Sequence, residues 1–163
     1  MVELGVNQRL PATASSIPQV REAIRQVGER AGVGRQQLAA IGITATEAAT
    51  NAVRHAYGSG EAGLLDVDAH VDANHLVVRV RDYGVGLGRR SAAGGLGLGL
   101  RLMRHLADEC VLESCDPGTR VWLRFRLGPP GKQSSPRAAQ AALGTSPSPS
   151  REGTGSLNSQ PTR

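Results

Sequence analysis

The hydrophobic pattern of the chain is mainly a helical repeat before residue 64 and mainly a two-residue repeat after it. Apolar residues recur every three or four positions over 17–27 and 38–56, which predicts two amphipathic helices. Apolar and polar residues then alternate, which predicts strands with one buried face. With a third helical repeat before the last strands, this order predicts an α+β fold, a two-layer sandwich with helices on one face of the sheet. Strands are expected at 6–11, 64–71, 76–81, 111–114 and 119–127.

Local signals define the ends of the helices. The hydroxyls of Ser15 and Ser16 are predicted to cap the first helix, and the glycines that follow Tyr57 are predicted to end the second, which begins near Arg35. The third helix is predicted from Gly97 to Ala107. Four of its apolar residues are expected to face inward: Leu98, Leu102, Met103 and Leu106.

Residues 129–163 differ in composition from the rest of the chain. They are rich in Pro, Ser, Gly and Thr, and they cannot bury enough apolar surface to offset the loss of conformational entropy. The sequence therefore predicts one domain over 1–128 and a disordered tail over 129–163. The formal net charge of +5 comes largely from this tail, where four of the five charged residues are basic.

Lysine is almost absent, since Lys132 in the tail is the single lysine beside 18 arginines. A P-loop and a eukaryotic-type protein kinase both place a lysine on the phosphates, so both classes are excluded. The domain lacks a basic stripe and a series of aromatic residues, which argues against direct nucleic-acid binding. No apolar run is long enough for a membrane span, and no secretory signal is recognisable. Cys110 and Cys115 are expected as reduced thiols, so a cytoplasmic location is expected.

Three polar residues recur every four positions on the alanine-rich second helix, at Glu47, Asn51 and His55. This spacing places them on one helix face. A carboxylate can orient or deprotonate a nucleophile, and an amide oxygen can complete the shell of a magnesium ion that phosphates already hold. Isolated polar groups on an apolar helix are typical of a pocket wall, so this face is predicted to line a ligand site. For His55, packing at the helix end is the alternative.

Two glycine-rich segments follow this helix. Asp82, Gly84 and Gly86 come directly after a predicted strand, where a carboxylate can accept a hydrogen bond from an exocyclic amine and glycine lets the backbone approach a flat ring. The segment 95–100, Gly-Leu-Gly-Leu-Gly-Leu, exposes successive N–H groups at the start of the third helix, where anions bind. A Gly-x-Gly-x-x-Gly match at 58–63 ends a helix and precedes a strand, the reverse of the dinucleotide-binding order, and is interpreted as a turn.

The segments 51–55, 82–86 and 95–100 resemble the N, G1 and G2 boxes of the GHKL ATPases (gyrase, heat-shock chaperone, histidine kinase and MutL). Gly118 and Thr119 resemble the later Gly-Thr box, and the resemblance covers roughly residues 11–128. It implies a Bergerat-type fold, in which about three helices cover a mixed, mostly antiparallel sheet. Within the superfamily, the chain is most similar to the bacterial anti-sigma-factor serine/threonine kinases.

The resemblance implies a role for each matching residue. Glu47 would be the general base that orients a serine hydroxyl, and Asn51 would coordinate Mg²⁺. Asp82 would bind the adenine amino group, with Gly84 and Gly86 against the ring. Further contacts to ATP, through phosphate or pocket support, are expected from Arg54 or His55, Gly95, Gly97, Leu98, Gly99, Leu100 and Thr119.

The same resemblance implies a kinase that uses ATP and Mg²⁺, phosphorylates an antagonist protein and sequesters a sigma factor; a homodimer is a further expectation. Only seven residues, 87–93, separate Gly86 from Gly94, so the segment that closes over ATP in this family is short here. A non-catalytic nucleotide-sensing interaction module is therefore one alternative. A detached histidine-kinase catalytic domain is another, although none of the four histidines lies in a phosphoacceptor context.

Overall fold

In the computed structural model, residues 4–58, 63–86 and 97–128 are described, so Gly95, the segment 87–93 and the predicted tail from residue 129 lie outside the described residues. The predicted order of helices and strands is confirmed within these ranges. The helices are α1 (Ser16–Arg30), α2 (Arg35–His55) and α3 (Gly97–Leu106). The strands are β1 (Gly5–Pro11), β2 (Leu64–Asp72), β3 (His75–Asp82), β4 (Glu109–Ser114) and β5 (Thr119–Arg126).

The five strands form one sheet in the order β1-β2-β3-β5-β4, and each of the four described pairings is antiparallel. β2 and β3 form a hairpin, in which Asp72 pairs with His75 around a two-residue loop. β3 and β4 run in the same direction, but β5 lies between them, so the parallel contact expected of a mixed sheet is not formed among these strands. The chain passes from β3 to β4 through α3, which brings that helix onto the same face as α2.

The core lies between the helices and one face of the sheet. Alternate residues of β5 are buried, as the sequence predicts: Val121, Leu123 and Phe125 are 7%, 0% and 1% exposed. α2 contributes mainly alanine to this core, and small side chains let a helix lie close to the sheet. The buried alanines of α2 are Ala45, Ala48, Ala49 and Ala52.

The prediction that Leu98 faces inward is wrong, because 82% of this residue is exposed. The inward stripe of α3 consists of Leu100, Met103 and, just beyond its end, Ala107. At 3.6 residues per turn, Leu98 lies about 200° around the helix from Leu100, so the two side chains cannot share a face.

The predicted hydroxyl cap of α1 is also absent. Ser15 occupies the N-cap position but makes no capping hydrogen bond, and its backbone is helical, with φ −68° and ψ −19°. A capping side chain normally requires an extended backbone at this position. The Ser15 hydroxyl instead lies 2.9 Å from the hydroxyl of Thr13.

The other face of the sheet carries charged and aromatic side chains. The Arg79 guanidinium lies 4.8 Å from the Trp122 ring and 2.8 Å from the Asp68 carboxylate. The Trp122 indole N–H donates to Glu113 at 3.0 Å. These partly exposed pairs order the surface but contribute little stability each. Among the helices that the structure describes, none combines the length and the hydropathy that crossing a membrane requires.

Candidate functional site

Two buried polar side chains are neighbours on the helix-covered face of the sheet. Asp82 ends β3, Thr119 begins β5, and their Cα atoms are partners in the ladder. Only 3% of Asp82 and 1% of Thr119 are exposed. The Asp82 Oδ1 atom accepts a hydrogen bond from the Gly84 N–H at 3.0 Å. The Thr119 hydroxyl has no hydrogen-bond partner among the described residues, although buried hydroxyls normally have one.

A cavity between α2, α3 and the sheet has Asp82 and Asn51 as its polar lining. Thr119 stands beside this cavity, because its ladder partner Asp82 and its strand neighbour Val121, on the same face, both line it. One carboxylate and one amide thus lie in an otherwise apolar lining. The apolar walls are formed by Ala48, Ala52, Val80, Leu100, Met103, Leu112 and Val121.

The start of α3 lies against the polar face of α2. A Cβ atom added to Gly99 would be 2.8 Å from Glu47 Oε2 and 3.4 Å from Asn51 Nδ2, so only glycine leaves both side chains in place. Glu47 and Asn51 are half-buried. Asn51 lines the cavity, whereas Glu47 lines a second pocket between α1 and α2, so the acid, the amide and the N–H groups of the helix start lie together beside the cavity. This arrangement suits an anion accompanied by a cation.

The segment after β3 lies against the end of α2. The Val85 N–H donates to the Ala56 carbonyl at 2.8 Å. A Cβ atom at Gly84 would be 1.8 Å from the same carbonyl oxygen, so no larger residue fits there. Gly84, which is predicted to lie against the ring of a ligand, therefore also has a structural function. It lets the segment after β3 contact the end of α2.

The remaining predicted site residues are distributed as follows. Leu100 lines the cavity, and Gly86 is buried. Gly97 is exposed at the first residue of α3, and Gly95 lies outside the described residues. Among the described residues, the cavity lining does not include Arg54, which is exposed, His55, which is half-buried, or Leu98, which faces solvent.

Several cavity residues were not predicted as site residues. Val80, Met103, Leu112 and Val121 form much of the wall, whereas their sequence pattern predicts only core positions. A signal was present for two of them. Val80 precedes Asp82 by two residues and Val121 follows Thr119 by two, and residues two apart on a strand share a face.

Two titratable groups whose pKa values are shifted, Asp66 and Cys110, lie outside the cavity lining. On the open face of the sheet, hydrogen bonding to Arg9 lowers the pKa of the Asp66 carboxyl, and the Arg9 Nε to Asp66 Oδ1 distance is 2.7 Å. Cys110 and Cys115 are free thiols, and burial raises the pKa of Cys110. The Cys110 thiol is therefore protonated at neutral pH and weakly nucleophilic.

Asn51 and Glu47 are the groups beside Gly99 that could give oxygen ligands to a metal ion. In residues 4–58, 63–86 and 97–128, no cluster of three or more His, Cys, Asp or Glu side chains is arranged around a common point. Asn51 beside Glu47 offers too few oxygens for Mg²⁺ alone, but phosphate oxygens complete such a shell. The unpartnered Thr119 hydroxyl and the backbone approach at Gly99 fit the two ends of a nucleoside phosphate.

The fold and this cavity are those of a nucleotide-binding protein, and a comparison with known families identifies which family it is. The model of the histidine kinase-like ATPase domain matches residues 10–125. The match spans more than half of the chain and includes α2, α3 and all of β2 to β4, so the chain belongs to this family. The family relationship predicted from the N, G1 and G2 segments is confirmed.

Individual relatives show which members of the family the chain is similar to. The chain is 29% identical over 122 residues to the serine-protein kinase RsbW of Listeria innocua, covering 66% of this chain and 78% of that protein. It is 28% identical over 123 residues to the serine-protein kinase RsbW of Staphylococcus epidermidis, covering 66% and 77%. It is 29% identical over 103 residues to the anti-sigma F factor of Geobacillus thermodenitrificans, covering 56% and 70%. The predicted similarity to anti-sigma-factor kinases is confirmed.

A solved structure shares the fold. It is the crystal structure of the RsbU and RsbW domains of Rv1364c from Mycobacterium tuberculosis, with a TM-score of 0.63 and 24% sequence identity. The match covers 80% of this chain, which spans 34% of that longer chain. The predicted α+β sandwich is confirmed by this similarity.

Proposed function

We propose that this chain is an ATP- and Mg²⁺-dependent serine/threonine protein kinase of the anti-sigma-factor type, which phosphorylates an antagonist protein and sequesters a sigma factor. The observation that carries the proposal is the buried pair of Asp82 and Thr119 beside a cavity that Asn51 also lines. The similarity to relatives named serine-protein kinase and anti-sigma F factor supports this class of activity.

The sheet end of the cavity suits adenine. The Asp82 carboxylate can accept a hydrogen bond from the exocyclic amine, and the Thr119 hydroxyl can donate to or accept from the ring edge. The apolar walls contributed by Ala52 and Met103 can contact the ring faces. Binding would give the Thr119 hydroxyl the partner that it otherwise lacks.

The α3 end of the cavity suits phosphates. The N–H groups of Gly97 and Gly99 lie at a helix start, where anions are stabilised. The Asn51 amide oxygen would hold Mg²⁺, which when bound neutralises charge on the phosphates. The Glu47 carboxylate lies next to Asn51 on the same helix face and can reach an acceptor hydroxyl at this end.

The proposed reaction is phosphoryl transfer to a serine of the antagonist. The serine oxygen forms a bond to the γ-phosphorus, the bond from that phosphorus to the bridging oxygen breaks, and ADP leaves. The serine proton passes to the Glu47 carboxylate. The chain acts mainly by positioning the reactants. Asp82 and Thr119 hold the adenine, and Glu47 orients the serine hydroxyl.

Nucleotide binding is tested first, by calorimetry with ADP and Mg²⁺. Asp82→Asn is expected to weaken ADP binding at least tenfold, because a charged hydrogen bond contributes about 1.5–3 kcal/mol. Asn51→Ala is expected to remove the Mg²⁺ dependence of binding. Asp66→Asn is the matched control, since it neutralises a carboxylate on the open face of the neighbouring strand and should leave affinity unchanged. Unaltered binding in both site variants would contradict the proposal.

Phosphoryl transfer is tested with γ-labelled ATP and the proteins that co-purify with the tagged chain. Acid-stable label on one acceptor, abolished by Glu47→Ala while ADP binding persists, is the expected result. Acid-labile label would indicate phosphohistidine and the detached histidine-kinase alternative. Tight binding without any transfer would indicate the nucleotide-sensing module. Transfer undiminished in Glu47→Ala would remove Glu47 as the base.

The proposed setting is the cytoplasm, where ATP is supplied and the free thiols Cys110 and Cys115 stay reduced. The proposed partners are proteins, a sigma factor and its antagonist, and direct contact with nucleic acid is not part of the proposal. Self-association as a homodimer is a separate expectation, which static light scattering with and without ADP would test.

A further inference from the structure

At the end of the ladder between β2 and β3, a side chain takes the place of the next pair of backbone hydrogen bonds. The last partners are Leu65 and Asp82, so the same register would next place Leu64 opposite Tyr83. The hydroxyl of Tyr57 occupies this position instead. Its oxygen accepts hydrogen bonds from the Tyr83 N–H at 2.9 Å and the Leu64 N–H at 3.1 Å, and it donates to the Leu64 carbonyl. A phenol has one donor and two acceptor sites, so the capacity of this hydroxyl is filled.

The residue before Tyr57 contacts the same segment of chain. The Ala56 carbonyl at the end of α2 accepts the Val85 N–H at 2.8 Å, and Gly84 lies too close to this carbonyl for any side chain. Two consecutive residues after α2 therefore contact the chain that leaves β3. The Tyr57 ring itself packs over Gly63, where an added Cβ atom would be 2.2 Å from the ring.

The consequence is that three successive amides, at 83–85, each have a defined acceptor. These acceptors are the Tyr57 hydroxyl, the Asp82 carboxylate and the Ala56 carbonyl, in chain order. The middle bond holds the Oδ1 atom of Asp82, and its geometry depends on the path of the backbone on either side. The outer two bonds, made by the end of α2, set that path.

We propose that the Tyr57 hydroxyl is a positioning group for adenine recognition. By replacing one backbone pair of the sheet, it sets the direction in which the chain leaves β3 and so orients the Asp82 carboxylate in the cavity. The inference rests on the proposed function, since it assigns Tyr57 to the adenine end of that site. Tyr57 acts through Asp82 and does not line the cavity as the structure describes it.

The test compares two phenol deletions. Tyr57→Phe removes the hydroxyl from the ladder position, whereas the control Tyr83→Phe removes a hydroxyl that bonds Asp66 and Arg9 on the open face. Adenosine and ADP affinities are measured by calorimetry, well below the unfolding temperature. Tyr57→Phe is expected to lower the affinity for both ligands by the same factor, about three- to tenfold. The factor is the same because the lost interaction lies at the adenine and not at the phosphates. Tyr83→Phe is expected to bind both normally.

A double variant separates positioning from general destabilisation. In an Asp82→Asn background, Tyr57→Phe is expected to cause no further loss of adenosine affinity, because both changes affect the same interaction. Losses that simply multiply would overturn the inference, as would a Tyr57→Phe variant that binds adenosine as the unaltered chain does.

Hydrogen exchange supplies a readout that needs neither ligand nor variant. The Tyr83 amide lies beyond the last backbone pair, yet it is expected to exchange as slowly as the Val85 amide in the unaltered, unliganded chain. Exchange at the rate of an open loop would overturn the inference. Failure of the unaltered chain to bind adenosine would instead overturn the proposed function and with it the adenine role of Tyr57, while slow exchange would still show the hydroxyl in the ladder.

Discussion

Thr119 and Thr44 are both fully buried threonines, but their hydroxyls are in opposite situations. The Thr44 hydroxyl lies within its own helix and donates to the carbonyls of Ala40 and Ile41, at 3.1 and 2.9 Å. The Thr119 hydroxyl has no acceptor within the part of the chain that the structure describes. An unpartnered buried polar group costs about 1–3 kcal/mol. A residue that lowers stability when no ligand is bound is typical of a binding site.

Thr119→Val is therefore expected to change stability and binding in opposite directions. Valine keeps the shape of threonine, so the free energy of unfolding should stay equal or rise by up to about 1 kcal/mol, while adenosine affinity falls about fivefold. Thr44→Val, the matched control, should lose about 1 kcal/mol of stability and bind adenosine normally. Urea unfolding and calorimetry measure the two quantities. A Thr119→Val protein that is less stable but binds adenosine unchanged would contradict a role in recognition.

The contact between α2 and α3 depends on which glycine of the first turn of α3 faces the neighbouring helix. Gly97 has open space where a Cβ atom would be, whereas a Cβ atom added to Gly99 would be 2.8 Å from the Glu47 carboxylate. That carboxylate is the end of a flexible side chain, so it can move aside without disturbing the helices. Position in the turn thus separates a glycine at which an added methyl group would meet Glu47 from one at which it would meet no other residue.

Gly97→Ala and Gly99→Ala are expected to differ in phosphoryl transfer but not in folding. Alanine is favoured over glycine inside a helix by up to about 1 kcal/mol, so neither variant should lower the unfolding temperature. Gly99→Ala should displace the Glu47 carboxylate and slow transfer of label from ATP at least about tenfold, because a positioned base contributes 10²–10⁴ in rate. Gly97→Ala should retain transfer. Equal transfer rates in the two variants would show that the Glu47 carboxylate does not need the space beside Gly99.

For the whole molecule, sequence patterns predict what depends on neighbours along the chain. The alternation of Val121, Leu123 and Phe125 gave the buried face of β5 correctly, since residues two apart on a strand share a face. The adjacency of Asp82 and Thr119 depends on β5 pairing with β3, and alternation alone does not specify a pairing partner. The family resemblance placed both residues in one site without giving that register.

Other features could not be predicted because they arise only when distant segments meet. Leu98 lies between glycines at a helix start, where an apolar repeat does not define which residue begins the buried stripe. The Tyr57 hydroxyl enters the β2–β3 ladder through a contact to Tyr83, 26 positions away in the chain. Neither the hydropathy nor the spacing of Tyr57 distinguishes it from an aromatic residue that merely packs at the end of a helix.

The proposed boundary at residue 128 gives a prediction for the whole chain. All described helices and strands end by Arg126, and the Leu127 N–H still donates to the Asn74 carbonyl at 2.8 Å. A chain that ends at residue 128 is therefore expected to keep both the unfolding temperature and the ADP affinity of the full chain. A chain that ends at residue 118 lacks β5, which lies between β3 and β4, and it should show no cooperative unfolding. Circular dichroism and calorimetry provide the measurements, and a loss of ADP affinity on removing 129–163 alone would assign part of the site to that segment.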